Sequence, residues 1–420
     1  MLNIIRSDNR EALNGLLSAR AASLSSAEAV ARRILAQVRR QGDRALVHYS
    51  RRFDGVELRK VGMKVARDEV KSAYTNLPPS LIMALRVAAK NIRAAARRQL
   101  PHAWQFQPLP GVKVSQVLRP LERVVCYVPG GRFPLPSTVL MSVIPAQVAG
   151  VREVLITSPR PAPAVLVAAD ILGVPDIYRL GGAQAVAAFA YGTESVPRAE
   201  KIVGPGNRFV AAAKKLVAGE CGIDFVAGPS ELVVLGAKGN AEWIAADLVA
   251  QAEHDPDSVA VLVTPSRQLA LRVRACAARI IAQLRLRVAR KSLAAQGCII
   301  LTRNLAEAAE LVNRLAPEHL TLLEDAKGLL DQIRSAGSIF LGSYSPVAAG
   351  DYASGTNHIL PTSGAARLRG GLSAADFVKC ISVQEITRKG LARLRPSIVT
   401  LAGVEGLKAH AQSVEARFKS

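Results

Sequence analysis

Four of the six histidines in this 420-residue sequence stand beside other groups able to do chemistry. Gln251 and His254 fall near the end of a predicted helix, and their spacing of three residues places both side chains on one face. An amide oxygen and an imidazole nitrogen placed in this way can share a metal ion. Alternatively, His254 is only a favourable partner of the helix dipole. The spacing alone does not decide between these two roles.

Glu318 and His319 are neighbours directly after a proline, at the predicted junction of a helix and a strand. A carboxyl and an imidazole there can both titrate near neutral pH if a cleft raises the pKa of Glu318. Adjacent side chains point in different directions on regular structure, so two cooperating groups suit a turn. The alternative is a Glu-His dipeptide on an exposed loop.

Further polar groups occur late in the sequence. Asp351 and His358 fall in a segment, 350–385, that is rich in glycine and serine and has little periodicity, whereas Glu405 and His410 fall in a predicted C-terminal helix. Four side chains would together supply two nitrogen and two oxygen ligands, a set that suits Zn²⁺: Gln251, His254, Asp351 and His410. Their positions in the sequence do not show that they converge.

Three glycine-rich segments each follow a predicted strand and precede a predicted helix: Tyr127-Val-Pro-Gly-Gly131, Gly181-Gly-Ala-Gln184 and Gly204-Pro-Gly-Asn207. Backbone N–H groups and the helix dipole bind phosphates at such turns. No Gly-x-Gly-x-x-Gly occurs, so the standard Rossmann fingerprint is absent. These turns predict a nucleotide or phosphate site.

The elements that must position these residues follow from the pattern of the chain. Helices are predicted from Ala27 to Gln41, with Ser26 as the N-cap, and from Ser80 to Gln99, and residues 101–120 are predicted to be a linker or an irregular β segment. From about residue 121, short β-branched runs alternate with helical stretches, and a second such region begins at Glu231. This alternation predicts parallel α/β sheets.

Composition excludes several classes of protein. The chain has 55 Lys and Arg against 33 Asp and Glu, a formal charge of +22, yet aromatic residues make up only 4% and the basic residues are dispersed. This distribution of charge favours basic helix faces exposed to solvent over a surface that binds nucleic acid.

No apolar run is long enough to span a membrane, and the first residues lack the apolar core of a signal peptide. The five scattered cysteines include no Cys-x-x-Cys, which predicts free thiols in a reducing cytoplasm.

A series of short motifs, in this order, resembles the L-histidinol dehydrogenase family. They are Tyr127-Val-Pro-Gly-Gly131, Gly181-Gly-Ala-Gln-Ala185, Ile202-Val-Gly-Pro-Gly-Asn207, Ala227-Gly-Pro-Ser-Glu231, Gln251-Ala-Glu-His-Asp255, Ala316-Pro-Glu-His-Leu320, Gly350-Asp-Tyr-Ala-Ser-Gly355, Asn357-His-Ile-Leu-Pro-Thr362, Gly371-Leu-Ser373 and Glu405-Gly-Leu-Lys-Ala-His410. Any one motif is weak, but the ordered set is specific, and the resemblance extends from about residue 20 to 415.

The resemblance implies an α/β fold of two incomplete Rossmann-like parallel-sheet domains, with a helical N-terminal arm and a small C-terminal tail domain. The arm would comprise residues 1–20. The first α/β domain, with the metal and catalytic residues, would be discontinuous and comprise 21–123 plus 231–370. The second, NAD-contacting domain would comprise 124–230. The tail, 371–420, would be exchanged within a homodimer, so that each tail completes the active site of the other subunit.

The resemblance also implies the residues of the site. The ligands of one zinc ion per subunit would be Gln251, His254, Asp351 and, from the other chain, His410. NAD would contact Tyr127, Gln184 and Asn207. Substrate would contact Ser230, His319, His358 and Glu405 as well as the zinc ligands. His319 would be the general base, and Glu318 would activate the water that hydrates an aldehyde.

The implied reaction is the zinc- and NAD-dependent four-electron oxidation of L-histidinol to L-histidine through the aldehyde, the last two steps of histidine biosynthesis. One alternative is a paralogous NAD-dependent dehydrogenase of another small polar or sulfonated alcohol, since the motifs fix the redox apparatus more tightly than the substrate pocket. A remote alternative is a basic nucleic-acid-binding protein on an enzyme scaffold, suggested by the +22 charge. For the leading hypothesis, neither a nucleic acid nor a membrane is an expected partner.

Overall fold

The strands form three sheets in the computed structural model, which describes residues 2–19, 25–130 and 134–419. They are β1 (Asn3–Arg6), β2 (Trp104–Leu109), β3 (Val112–Pro120), β4 (Arg123–Tyr127), β5 (Glu153–Thr157), β6 (Ile177–Tyr178), β7 (Lys201–Val203), β8 (Gly222–Ile223), β9 (Glu231–Leu235), β10 (Val259–Thr264), β11 (Cys298–Leu301), β12 (His319–Leu322), β13 (Ser338–Leu341) and β14 (Val378–Ile386). Two of the sheets are parallel throughout, and the predicted α/β fold class is confirmed.

Helices connect the strands and cover both parallel sheets. They are α1 (Arg10–Ala19), α2 (Ser25–Gln41), α3 (Asp43–Tyr49), α4 (Leu58–Val61), α5 (Arg67–Ala73), α6 (Pro79–Arg98), α7 (Pro136–Ala149), α8 (Pro163–Ile171), α9 (Gly182–Tyr191), α10 (Arg208–Val217), α11 (Ala241–Glu253), α12 (Arg267–Leu284), α13 (Arg287–Ala295), α14 (Leu305–Leu315), α15 (Val347–Tyr352), α16 (Arg388–Val404) and α17 (Lys408–Glu415). A π-helical turn, Ser50–Asp54, follows α3.

The larger sheet has six strands in the order β1-β11-β10-β9-β12-β13. Its central strands β9 and β10 are buried along their whole length, as continuous apolar runs are when helices cover both faces of a sheet. One apolar layer joins this sheet to α11, α12 and α13, and a second layer joins it to α1 and α14. The only charged residue of β9 is Glu231, which is buried at its amino end.

The first residues of the chain differ from the predicted helical arm. Residues 3–6 form β1, which pairs in parallel with β11 at the edge of the larger sheet. Ile4 and Ile5 lie opposite Ile299 and Ile300 in this pairing, and such β-branched residues fit a pleated sheet better than a helix. Of the described residues of the arm, 2–19, only those of α1 are helical.

The smaller parallel sheet has the order β6-β5-β4-β7-β8, with α7 and α8 on one face and α9 and α10 on the other. The helices between residues 25 and 98 pack outside these layers, since apolar residues such as Ala27 and Ile34 join the same core as α9 and α10. This packing differs from the predicted grouping of 21–123 with 231–370. The domain boundaries themselves stay a prediction.

A third, antiparallel sheet of order β14-β3-β2 connects the C-terminal part of the chain to the segment 101–120. β14 pairs with β3 over nine residues. It was not predicted, because the segment 350–385 shows little periodicity. β14 is exposed over nearly its whole length, so no buried face imposes the apolar alternation that marks a strand.

A buried ion pair fixes the turn after β7. Lys214 in α10 and Asp224 after β8 pair with side chains that are 2% and 0% exposed. Lys214 Nζ also donates to the carbonyl of Gly204 at 3.0 Å, and an Asp224 carboxylate oxygen accepts the Gly204 N–H at 2.7 Å. Buried charges persist only when partners of this kind satisfy them. The pair therefore holds both polar groups of the Gly204 backbone.

Lys214→Met should lower the free energy of unfolding by about 3–5 kcal/mol, because Asp224 would keep a buried charge without its partner. The matched control is Lys215→Met. Lys215 is 54% exposed and pairs with Glu28 at the surface, so its loss should cost less than about 1 kcal/mol. Urea unfolding followed by circular dichroism measures both variants. Equal losses in the two would contradict the role given to the buried pair.

Candidate active site

The Glu-His pair lies at the amino end of β12 and is buried. α14 ends with Ala316 in the left-handed conformation, φ 45°, and Pro317 follows, so the chain turns sharply into the sheet. Glu318 then precedes the strand and His319 begins it, with exposures of 5% and 4%. The predicted turn is thus present, and the alternative of an exposed loop dipeptide is wrong.

Both side chains are held by the backbone of one residue, Glu231, at the start of β9. Its N–H donates to Glu318 Oε2 at 2.8 Å, and its carbonyl oxygen lies 3.1 Å from Nδ1 of His319. A carbonyl only accepts, so Nδ1 carries a proton and donates. Nε2 of His319 has no hydrogen-bond partner among the described residues, and it lies 3.4 Å from Oδ1 of Asp351. Nε2 is therefore the nitrogen available to another group.

The charges of this cluster are coupled. Burial raises the pKa of Glu318 to about 7. Burial acts to lower the pKa of His319, but the carboxylates of Glu318, whose Oε2 is 3.6 Å from Nδ1, and of Asp351 outweigh it and raise this pKa to about 9. Burial acts to raise the pKa of Asp351, but His319 and other nearby imidazoles hold it below its usual range. A carboxyl with a pKa near 7 can hold or release a proton at neutral pH.

An amide, an imidazole and a carboxylate extend the cluster towards the end of α11. Gln251 in the last turn of α11 is 3% exposed, and neither of its amide atoms has a partner among the described residues. An unpaired buried amide is costly, so its oxygen is suited to bind a ligand. His254 caps the same helix, and it contributes to the lowered pKa of Asp351, which places it within electrostatic reach of that carboxylate.

These three residue types fit part of a tetrahedral zinc site, which takes four ligands. Within the described ranges, no group of three or more His, Cys, Asp and Glu side chains is arranged to hold a metal ion. The predicted fourth ligand, His410, is exposed in α17, and Glu405 is exposed at the end of α16. No hydrogen bond or ion pair of the described residues joins either of them to Asp351 or His319. One chain thus brings His254 within electrostatic reach of Asp351, and the complete zinc set stays a prediction.

His358 connects this cluster to the smaller sheet. Its Nδ1 lies 2.9 Å from the carbonyl oxygen of Asp351, and its Nε2 lies 3.3 Å from the hydroxyl of Thr138 in α7. Burial lowers the pKa of His358, so the ring is neutral at neutral pH. Nδ1–H then donates to the carbonyl, and Nε2 accepts from Thr138. Ser230, another predicted substrate contact, directly precedes Glu231.

The three predicted NAD contacts lie at the carboxyl end of the smaller sheet. Tyr127 ends β4, and its hydroxyl accepts the N–H of Gly182 at 3.0 Å. Gln184 Nε2 donates to Asp54 Oδ2 at 3.0 Å. Asn207 caps α10 by accepting two of its backbone N–H groups. The prediction that glycine-rich turns follow strands and open helices is confirmed at α9 and α10.

Glycine is required at position 204. Its φ is 113°, and a Cβ there would lie 2.2 Å from the carbonyl oxygen of Tyr127. The turn that ends at Asn207 can therefore lie directly against the end of β4. Gly131 of the first glycine-rich motif lies outside the described residues.

The site thus combines two different kinds of sheet edge. Glu231 and His319 lie at the amino ends of β9 and β12 of the larger sheet, whereas Tyr127 and Asn207 lie at carboxyl ends in the smaller sheet. The contact between His358 and Thr138 joins the two sets. Buried acid-base groups on one side and glycine-rich turns of the kind that can bind phosphates on the other are an arrangement that suits a nucleotide-dependent redox enzyme.

Sequence reasoning missed three residues of this site. Glu231 was detectable as the one charged residue of an otherwise apolar strand. Asp54, which holds Gln184, ends the π-helical turn, a feature that the sequence does not reveal. Thr138 gives no signal, because a threonine in the first turn of a helix is ordinary.

Comparisons with known proteins show the family of this chain. A family model described as histidinol dehydrogenase matches residues 17–418. The chain belongs to the histidinol dehydrogenase family. A histidinol dehydrogenase of Methanothermobacter thermautotrophicus is 50% identical over 92% of each chain, and one of Syntrophotalea carbinolica is 46% identical over 100% of this chain and 99% of its own. The crystal structure of histidinol dehydrogenase from Elizabethkingia anophelis superposes with a TM-score of 0.94 at 35% identity, over 100% of this chain and 98% of that one.

Two further features of this member of the histidinol dehydrogenase family are the character of its helices and the state of its cysteines. Among the described residues, no helix has both the length and the apolar character needed to cross a membrane. All five cysteines are free thiols, as predicted.

Asp54→Asn should increase the free energy of unfolding at about pH 7 by about 1–2 kcal/mol. Burial raises the pKa of Asp54 from 3.8 to about 6, so at pH 7 folding buries a charged carboxylate, which destabilises the native state. The native state holds this proton more tightly than the unfolded state does. The penalty is therefore present above about pH 6 and vanishes as the pH falls towards about 4. The variant keeps an oxygen that can accept from Gln184.

Urea titrations at several pH values measure this difference. The control is Asp331→Asn, which changes an exposed carboxyl and should alter the free energy of unfolding by less than about 0.5 kcal/mol. A difference for Asp54→Asn that is flat from about pH 4 to 7 would contradict the effect of burial on this carboxyl.

Proposed function

We propose that this protein oxidises L-histidinol to L-histidine through the aldehyde, with two NAD⁺ reduced, in the last two steps of histidine biosynthesis. The observation that carries the proposal is the buried Glu318–His319 pair, held on the Glu231 backbone beside Asp351 and facing the nucleotide-type edge of the smaller sheet. Relatives named histidinol dehydrogenase, 45–50% identical over most of this chain, support the substrate.

His319 is the proposed general base. Removing hydride from a primary alcohol requires loss of its hydroxyl proton, and Nε2 of His319 is the nitrogen that has no hydrogen-bond partner in the described part of the chain. Its Nδ1–H bond to Glu231 keeps the ring oriented while Nε2 takes the proton. The same atom would accept a proton again in the second oxidation.

Glu318 is the proposed base for the water that hydrates the aldehyde. Its pKa of about 7 leaves a substantial ionised fraction at neutral pH, while its basicity is well above that of an ordinary carboxylate. One of its oxygens, Oε2, is occupied by the Glu231 N–H. We assign the proton of the attacking water to the other oxygen, Oε1.

Gln251, His254 and Asp351 would hold a zinc ion with His410 of a second subunit. When bound, zinc would position the substrate and take up part of the negative charge of Asp351 that raises the pKa of His319. Tyr127, Gln184 and Asn207 would hold NAD, which supplies the redox chemistry. Ser230, His358 and Glu405 are the remaining proposed substrate contacts.

A homodimer with exchanged tails is the proposed assembly. The tail carries apolar side chains that its own chain leaves uncovered: Leu401, Val404 and Leu407 are 63%, 84% and 44% exposed. These residues flank Glu405 and form an exposed apolar patch, which is suited to bind a protein partner. A second subunit would cover it and bring His410 to the zinc site.

The cytoplasm is the proposed compartment, which the free cysteines support because thiols stay reduced there.

No observation favours oxidation of another alcohol, or a nucleic-acid-binding role, over oxidation of histidinol. The metal-replete parent protein should therefore form NADH with L-histidinol, and failure of that assay would end the proposal.

His319→Asn should lower kcat for L-histidinol about 10²–10⁴-fold, because the general base is lost. The zinc content should stay the same, since His319 is not a proposed ligand. Stopped-flow measurement of NADH absorbance gives the rate, and atomic absorption gives the metal. A variant with full kcat would disprove the general-base role, whatever its metal content.

Zinc should be lost from His254→Asn and from His410→Asn, although both residues are exposed in the single chain. Removal of one of the four zinc ligands lowers the affinity of the site for zinc by orders of magnitude. The matched control is His102→Asn, which alters another exposed histidine and should retain one zinc per subunit. Full zinc occupancy in His410→Asn would contradict a shared metal site.

A further inference from the structure

A large cavity lies at the edge of the larger sheet opposite to the candidate active site. It has a volume of ≈ 1310 Å³ and is bounded by the carboxyl ends of β1, β10 and β11. The catalytic pair lies at the amino ends of β9 and β12, so the cavity is separate from that site. The arginines that line it are Arg6, Arg10, Arg267, Arg274, Arg303 and Arg314.

The charge of this cavity is only partly compensated. Asp8 and Glu307 are its acidic lining residues, and each pairs with a neighbouring arginine: Arg6 at 3.3 Å and Arg303 at 2.9 Å. The other four arginines have no ion pair with a carboxylate of the described residues. They are Arg10, Arg267, Arg274 and Arg314. The cavity therefore holds four positive charges without a partner from the protein.

The surrounding backbone adds to the positive potential. Three helices of ten or more residues, α1, α12 and α14, begin at this edge, each directly after one of the strands that bound the cavity. The positive ends of their dipoles point to the same region. In open α/β sheets the crevice outside the carboxyl ends of the strands is the general place for ligands.

We propose that this cavity binds a small molecule that carries two or more phosphate groups. Guanidinium groups match phosphate geometry with paired hydrogen bonds, and four of them suit more than one phosphate. The volume exceeds what inorganic phosphate fills and is above the usual range of about 300–1,000 Å³ for ligand pockets. No aromatic side chain lines the cavity, so a nucleic acid would lack a surface for base stacking.

Isothermal titration calorimetry with inorganic pyrophosphate tests the proposal on the full-length protein, in about 0.1 M salt and without added dinucleotide, because NADH itself carries two phosphates. We expect saturable binding at submillimolar concentration. The double variant Arg267→Ser/Arg274→Ser should weaken it at least tenfold. The matched control is Arg272→Ser, on the same helix, because Arg272 is exposed and does not line this cavity.

The ligand class is tested in further titrations. Adenosine diphosphate and fructose 1,6-bisphosphate separate a nucleotide from a sugar phosphate, and tighter binding of either one through Arg267 and Arg274 supports the proposal. Absence of saturable pyrophosphate binding overturns it. So does binding that the double variant leaves unchanged, or that Arg272→Ser weakens equally. Tighter binding of a single-stranded oligonucleotide at the same two arginines would assign the surface to nucleic acid instead.

Discussion

The parallel pairing of β9 with β12 is the constraint on which the candidate active site depends. In this register His319 lies opposite Leu232, so the preceding residue, Glu231, offers its N–H and its carbonyl to the Glu-His pair. One backbone unit therefore orients both side chains and sets the imidazole tautomer. A shift of the register by one residue would turn His319 to the other face of the sheet. The register of the two strands thus fixes the position of the pair.

Two sheets that present opposite edges explain how the proposed proton transfer and the proposed nucleotide binding could share one cleft. Glycine-rich turns suited to phosphates form at the carboxyl ends of strands, where helix N-termini collect. The larger sheet turns its amino ends to the cleft and contributes acid-base groups there instead. Its own carboxyl edge, with three helix N-termini, is thereby left outside the cleft, and this edge holds the arginine-lined cavity.

The sequence was informative where structure is decided locally. The glycine-rich turns before α9 and α10, the helix that carries Gln251 and the alternation of strands with helices all follow from short-range patterns. Contacts between distant segments were not predictable in this way. The pairing of β14 with β3 depends on backbone hydrogen bonds without a buried face, and the packing of α2 and α6 on the smaller sheet depends on which apolar surface is free.

The proposed zinc site is shared between two subunits because its ligands lie on segments that are anchored differently. Gln251, His254 and Asp351 come from segments anchored to the larger sheet, whereas His410 lies on a tail whose helices pack mainly against each other. A ligand on such a tail has no fixed position relative to the sheet until its exposed apolar surface is covered. Covering by a second subunit would fix that position, so metal affinity and assembly would be coupled: each subunit interface formed would complete a site, and each metal bound would stabilise the interface.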